Sequence, residues 1–218
     1  MTEHMTGLQK AFLMEQFGLI PCHKIEKAKA DEWLLRPELL VQTMIEVLNR
    51  GVPKPDPILR LLYPDEIITL AVCNGKRTIW KSPKTFPVHR DPDFKNWDLN
   101  KPDAATEETQ VSVYELVKDA TLKVMFKSLN PNLDALCLTQ DQVIDFCEKN
   151  VDKLRKQGYA MFFLIKKDDS SLPEEDRFFV AYVRVFSDGL FVDVCRLEYA
   201  YVWRSSSARR LVVPQLKL

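Results

Sequence analysis

The chain has 218 residues, 46% hydrophobic and 28% charged, which suits one well-filled core or two small ones and excludes disorder over most of its length. Lys plus Arg and Asp plus Glu both number 31, so the global cationic excess of a protein that neutralises many phosphates is absent, although a local patch remains open. Six glycines and three histidines leave little material for phosphate-cradling loops or for histidine bases.

The five cysteines form no C-x-x-C pair, and most have apolar neighbours, so they are expected as small buried hydrophobes in a reducing compartment. Cys22-His23 has no second Cys/His pair at finger-like spacing, and no metal or cofactor is expected. The opening "MTEHMTGLQK" lacks the apolar core of a signal peptide, and no run approaches the roughly 18 apolar residues of a membrane span. A cytoplasmic chain with no membrane partner is expected.

In chain order, "GLQKAFLMEQFG" places Leu8, Phe12 and Phe17 near helical spacing. "DEWLLRPELLVQTMIEVLNRG" continues with Leu39, Leu40, Met44, Val47 and Leu48 on one stripe, with Pro37 suited to a first turn and Gly51 to the position after the last. "EIITLAVCNGKRTIWK" predicts a β-hairpin turning at Asn74-Gly75, since that pair takes the positive φ values of a type I′ turn. From Ser82 to about Gln110, four prolines break the periodicity, while Phe86, Phe94 and Trp97 supply apolar anchors that a free linker would lack.

In the second half, "VSVYELVKDATLKVMFKSL" predicts a helix from the stripe Val113, Leu116, Val117, Ala120 and Val124. "LTQDQVIDFCEKNVDKLRKQG" predicts another, opened by a Thr139/Gln142 capping box and closed at Gly158. "AMFFLIKK", "RFFVAYVRVF" and "LFVDVCRLEYAYVW" follow with short connections that imply an antiparallel meander, and "LVVPQL" predicts a last strand that Pro214 would place at an edge. The expected fold class is α+β. It has N-terminal helices with one hairpin and a docked proline-rich loop over residues 1–100, then two helices packed on a C-terminal antiparallel meander over 109–218. One continuous domain is the alternative organisation.

Three stretches bear on chemistry. "HRDPDFKN" spells the letters of a protein-kinase catalytic loop, with Asp91 and Asn96 at the base and metal positions. The glycine-rich loop, strand lysine and Asp-Phe-Gly that give those letters meaning are missing, so chance is the better explanation. Asp65, Asp93 and Lys95 supply the acids and lysine of a metal-dependent nuclease or related hydrolase, but Asp93-Phe94-Lys95 sits in the proline-rich loop rather than on a strand beside Asp65. "RSSSARR" gathers Arg204, Arg209 and Arg210 after Tyr199, Tyr201 and Trp203. From Arg196 to Leu218 five cations face the single acid Glu198, a composition that can hold phosphate or stack on unpaired bases.

At "DFKNW", "KNVDKLRKQGYAMFFLIK" and "FVAYVRVFSDGLFVDVCRLEYAYVW", the chain resembles a group of hypothetical proteins from candidate-phyla bacteria with reduced genomes. In that group a similar F-K-x-W in mid-chain precedes "LR-x-x-G-Y-x-x-x-F-F" and paired strands that end near "V-V-P-Q-L". The resemblance covers mainly Tyr114 to Leu216, with an isolated match at Phe94 to Trp97. It implies a bacterial source and one architecture shared by Trp97 and the C-terminal strands, and it carries over no activity. The leading expectation is a non-catalytic binding or interaction protein with a protein or nucleic-acid partner. The nuclease or hydrolase is the first alternative. Anion or nucleic-acid binding through Arg204, Arg209 and Arg210, with Trp203, is the second.

Overall fold

The structure, a computed structural model, describes Leu35–Arg36 and residues 57–157 and 159–215. The helices expected over residues 7–51 and the helix end expected at Gly158 lie outside the described residues. The chain divides after Pro55, and the unit Asp56–Leu218 carries the elements that follow.

One mixed eight-stranded sheet organises this unit, in place of the expected separate hairpin and two helices packed on a purely antiparallel meander. Its strands are β1 (Leu59–Leu62), β2 (Ile68–Leu70), β3 (His89–Arg90), β4 (Thr109–Leu116), β5 (Met161–Lys166), β6 (Phe178–Phe186), β7 (Gly189–Arg196) and β8 (Arg210–Pro214). The order across the sheet is β1-β4-β8-β5-β6-β7-β3, and β2 pairs with β4 beyond β1. The helices are α1 (Asp93–Asn96), α2 (Leu122–Leu129) and α3 (Gln140–Lys149).

Three corrections to the expected class have physical causes. The first concerns "VSVYELV", which is strand β4 and not helix. Val111 and Val113 are buried on one face while Leu116 is buried on the other, the period of two that a strand between neighbours requires. Two members of the proposed helical stripe, Val117 and Val124, are 39% and 46% exposed. Helix begins only at Leu122, where the Thr121 hydroxyl accepts from the Val124 N–H.

The second correction is the hairpin, which does not form. Gly75 does turn with φ +73°, but β2 pairs with β4, the Cys73 N–H donates to the Thr106 carbonyl at 3.0 Å, and three N–H groups between Ala71 and Ile79 go to α3 side chains. Asp145 Oδ2 accepts from Ala71 N at 3.1 Å, Asp141 Oδ2 from Gly75 N at 3.0 Å, and Gln140 Oε1 from Ile79 N at 3.1 Å. Buried backbone donors must find acceptors, and a helix face of carboxylates and an amide meets that demand without a second strand.

The third is β8, which does not lie at an edge. It inserts between β4, antiparallel, and β5, parallel, and Pro214 is tolerated because it falls at the strand's end, opposite Val111. A second parallel pair joins β3 to β7.

Both faces of the central strands are covered. On one, Val143, Ile144, Phe146 and Cys147 of α3 pack with Phe163, Ala181 and Val192, joined by Phe86 and Phe94 of the proline-rich loop. On the other, Leu122, Met125 and Phe126 of α2 pack with Phe162, Leu164, Val180 and Leu211. Strands before and after residues 101–108 share the one sheet.

Candidate functional site

Past Arg196 the chain leaves the sheet and crosses its α2 face before returning as β8. Two contacts pin this excursion. Trp203 exchanges backbone hydrogen bonds with Ala120 at 2.8 and 3.2 Å, and Asp119 accepts from the Ser205 N–H and hydroxyl at 2.7 and 2.8 Å. Ala208 then turns with φ +43° and sends Arg209 back over the face. Between excursion and sheet lies a cavity of ≈ 290 Å³ lined by Tyr182, Arg184, Cys195, Tyr199, Tyr201, Trp203 and Arg209, with Ala160 at its floor.

The aromatic walls touch one another. Trp203 meets Phe162 and Tyr201 edge-on at 4.9 Å and Tyr182 at 6.0 Å, and Tyr201 stacks with Tyr199 at 6.2 Å. Tyr199 and Tyr201 remain 53% and 49% exposed, so part of each side chain is open to solvent. The Arg209 guanidinium stands over the Trp203 ring, 4.8 Å from its centre, and one of its nitrogens donates to the Arg204 carbonyl at 3.0 Å. Arg209 forms no ion pair among the described residues, and no protein acceptor reaches its Nε or the Trp203 Nε1. Burial draws the Arg209 guanidinium down from its ordinary value, against the pull of the Tyr201 and Tyr159 oxygens, yet a group titrating so high stays cationic at neutral pH.

Arg184 is the second cation. It pairs with Asp193 of the neighbouring strand, and its guanidinium lies 4.3 Å from the Phe191 centroid and 5.7 Å from that of Tyr182. Burial raises the Asp193 carboxyl, and the Arg184 cation opposes that shift. Burial, together with Asp193, pushes the Tyr182 hydroxyl up. The Cys195 thiol is pushed up to about 12 by burial and by the Asp193 and Asp91 charges, so it carries no thiolate at neutral pH and is no nucleophile. His89 stacks on Phe191 at 4.2 Å with Nε2 3.5 Å from Asp193.

The residues singled out from sequence separate. Of the three arginines, Arg209 alone lines the groove, with Trp203. Arg204 is exposed and contributes its carbonyl, and Arg210 points to the opposite face, donating to the Lys153 carbonyl at 2.6 Å. Asp65 is exposed in the β1–β2 connection at one edge of the sheet, whereas Asp93 opens α1 beside β3 at the other edge. Five strands lie between those edges, which at ~4.8 Å per strand is on the order of 25–30 Å, far beyond shared-metal reach. Lys95 is exposed, Asp93 accepts from Asn96 at 3.0 Å, and no group of three metal-ligating side chains occurs among the described residues.

The kinase-like letters also find structural uses. Asp91 accepts from the N–H groups of Asp93 at 2.9 Å and Val194 at 3.3 Å, tying the loop to the edge of β7. Phe94 is wholly buried, and the half-buried Trp97 packs against Phe179 at 5.7 Å.

Sequence reasoning missed Tyr182 and Arg184. Their signal is the alternation within "FFVAYVRVF": Tyr182, Arg184 and Phe186 share one face, but only the sheet order shows that this face borders the excursion. Comparison with protein-family models, with curated proteins and with solved structures finds no match to the chain.

Proposed function

We propose that this chain is a non-catalytic, cytoplasmic binding protein whose groove takes a phosphate-bearing ligand with a flat, stackable group. The observation that carries the reading is Arg209, a cation without an ion-pair partner among the described residues, held 4.8 Å over Trp203 in a cavity walled by tyrosines. Guanidinium and aromatic rings together recognise an anion and a planar group side by side. The groove offers no activated nucleophile: its thiol is protonated, and its nearest carboxylate, Asp193, is engaged by Arg184. Four described cysteines are free thiols, which suits the reducing cytoplasm. Among the described residues, no helix is long and apolar enough to cross a membrane.

The test is calorimetric titration with adenosine monophosphate at two salt concentrations. Binding that weakens with salt and falls about tenfold or more in Arg209→Ala, the usual scale for a lost charged contact, supports the reading. Binding indifferent to both overturns it. Hydrolytic or transferase activity abolished by Asp193→Asn overturns the non-catalytic assignment.

A further inference from the structure

We propose that the ligand is a single-stranded nucleic acid, laid across the end of the sheet that the described residues leave open, from the groove, over Arg184, to Phe186 and Phe191. The inference rests on the groove reading and extends it beyond the cavity.

Among the described residues, the α2 face is closed over only part of its area. The cluster under Leu122, Met125 and Phe126 reaches Phe162, Leu164 and Val180 and stops at Tyr182. Beyond that point the same face continues along β6 as Arg184 and Phe186, and across β7 as Phe191, which pairs with Arg184 in register. Phe186 is 42% exposed and meets Phe191 edge-on at 6.0 Å, while the far side of Phe191 is occupied by the stacked His89. The opposite face of these strands is packed: Ala181, Val183, Val192 and Val194 are buried, and Val185 and Leu190 partly so. The exposed aromatics therefore belong to one face and adjoin the cavity.

Arg184 links the two areas. It lies between the Tyr182 ring, which lines the groove, and the Phe191 ring beyond it. A chain whose phosphate meets Arg209 and whose backbone passes the Arg184–Asp193 pair would set its bases against Trp203 and the tyrosines at one end and against Phe186 at the other. Stacking surfaces spaced along a cationic path suit unpaired bases, whose faces are free, and not a duplex, whose base faces are buried. The zero net charge agrees with a short footprint held by stacking more than by counterion release.

The experiment measures full-length protein by fluorescence anisotropy with labelled dT12 and rU12, and by calorimetry with adenosine monophosphate, for wild type and Phe186→Ala. The expected result is that at least one 12-mer binds at least tenfold more tightly than the mononucleotide. Phe186→Ala should then weaken the 12-mer by about tenfold, the scale of one lost base stack, and leave the mononucleotide unchanged. Mononucleotide binding without that gain for either 12-mer, or equal loss of both ligands in a folded Phe186→Ala, overturns the inference and leaves the groove reading standing. Duplex DNA competing as well as the single strand overturns the stacking geometry. Failure of every probe overturns both proposals. Quenching of Trp203 emission, identified by its loss in Trp203→Phe, provides a readout independent of the label.

Discussion

The two faces of the sheet are finished in different ways. On the α3 face, polar side chains are buried to hold backbone. Gln140, Asp141 and Asp145 accept from three N–H groups of residues 71–79, Gln140 Nε2 donates to the Leu99 carbonyl at 2.6 Å, and Asp103 accepts from Gln140 N at 2.8 Å. On the α2 face, aromatic and cationic side chains surround a cavity at which the Arg184 Nε, Arg209 Nε and Trp203 Nε1 donors lack protein acceptors among the described residues. The first arrangement spends its hydrogen bonds on the fold, while the second leaves binding capacity facing solvent. Buried polar groups cost stability when unpaired. On the α3 face side chains satisfy backbone, although the Thr78 and Thr106 hydroxyls find no partner among the described residues. On the α2 face the unpartnered nitrogens of Arg184, Trp203 and Arg209 belong to residues that line one cavity, which marks a place for a ligand.

This contrast can be broken by mutation, and the largest effect is expected at Gly75. A Cβ there would lie 2.2 Å from the Asp103 carbonyl oxygen and 2.5 Å from that of Ala104, at a φ of +73°. Gly75→Ala should therefore cost roughly 3 kcal/mol or more by chemical denaturation, since neither backbone can yield easily. Asp141→Ala comes next, because it strands the Gly75 N–H and releases Arg77, whose Nε lies 2.5 Å from that carboxylate; a loss of about 2–3 kcal/mol is expected. On the other face, Tyr201→Ala should shift stability by less than ~1 kcal/mol in the same assay while weakening ligand, as befits a half-exposed wall of a cavity. If Tyr201→Ala destabilises as much as Asp141→Ala, the two faces do not differ in the way described.

Each face also holds one carboxyl raised by burial, Asp103 on the α3 side and Asp193 on the α2 side. Raised native values mean that the folded protein still binds protons that the unfolded chain has released. Stability from these groups therefore falls as pH rises from the unfolded carboxylate value of about 4 through the native ones. Melting temperatures of wild type and Asp103→Asn should converge or cross in that window, with the wild type losing more on the way up. A parallel pair of curves would remove Asp103 from the account. The smallest effect is chemical: with Cys137 and Cys195 pushed to about 12, both thiols should react slowly with a thiolate-selective reagent at pH 8 until denaturant is added.

The sequence was most legible where local rules act alone. Thr139 and Gln142 form the reciprocal capping box that opens α3, because that motif needs only four consecutive residues. The segments that became β5, β6 and β7 are rich in aromatic and β-branched residues, and β5–β6 and β6–β7 are antiparallel neighbours as short connections require. Legibility failed where a pattern had two solutions. Val111 to Val117 fits a helical stripe and a two-sided strand equally well, and the choice fell to strands β1, β2 and β8, which lie far off in sequence. Asn74-Gly75 signals a turn but cannot reveal that α3 side chains replace the second strand.

The amino-acid sequence by itself therefore determined the helix cap at Thr139, the strand character of residues 161–196 and the local cationic and aromatic bias after Arg196. Those properties depend on neighbours in the chain. Only the tertiary structure decided that β8 lies inside the sheet, that Asp65 and Asp93 stand at opposite edges, and that Arg209 joins Trp203 and Tyr182 while Arg210 turns away. The physical reason is parity and order. Adjacent residues in a strand face opposite sides, and which strands become neighbours depends on pairings between distant segments that no local pattern records.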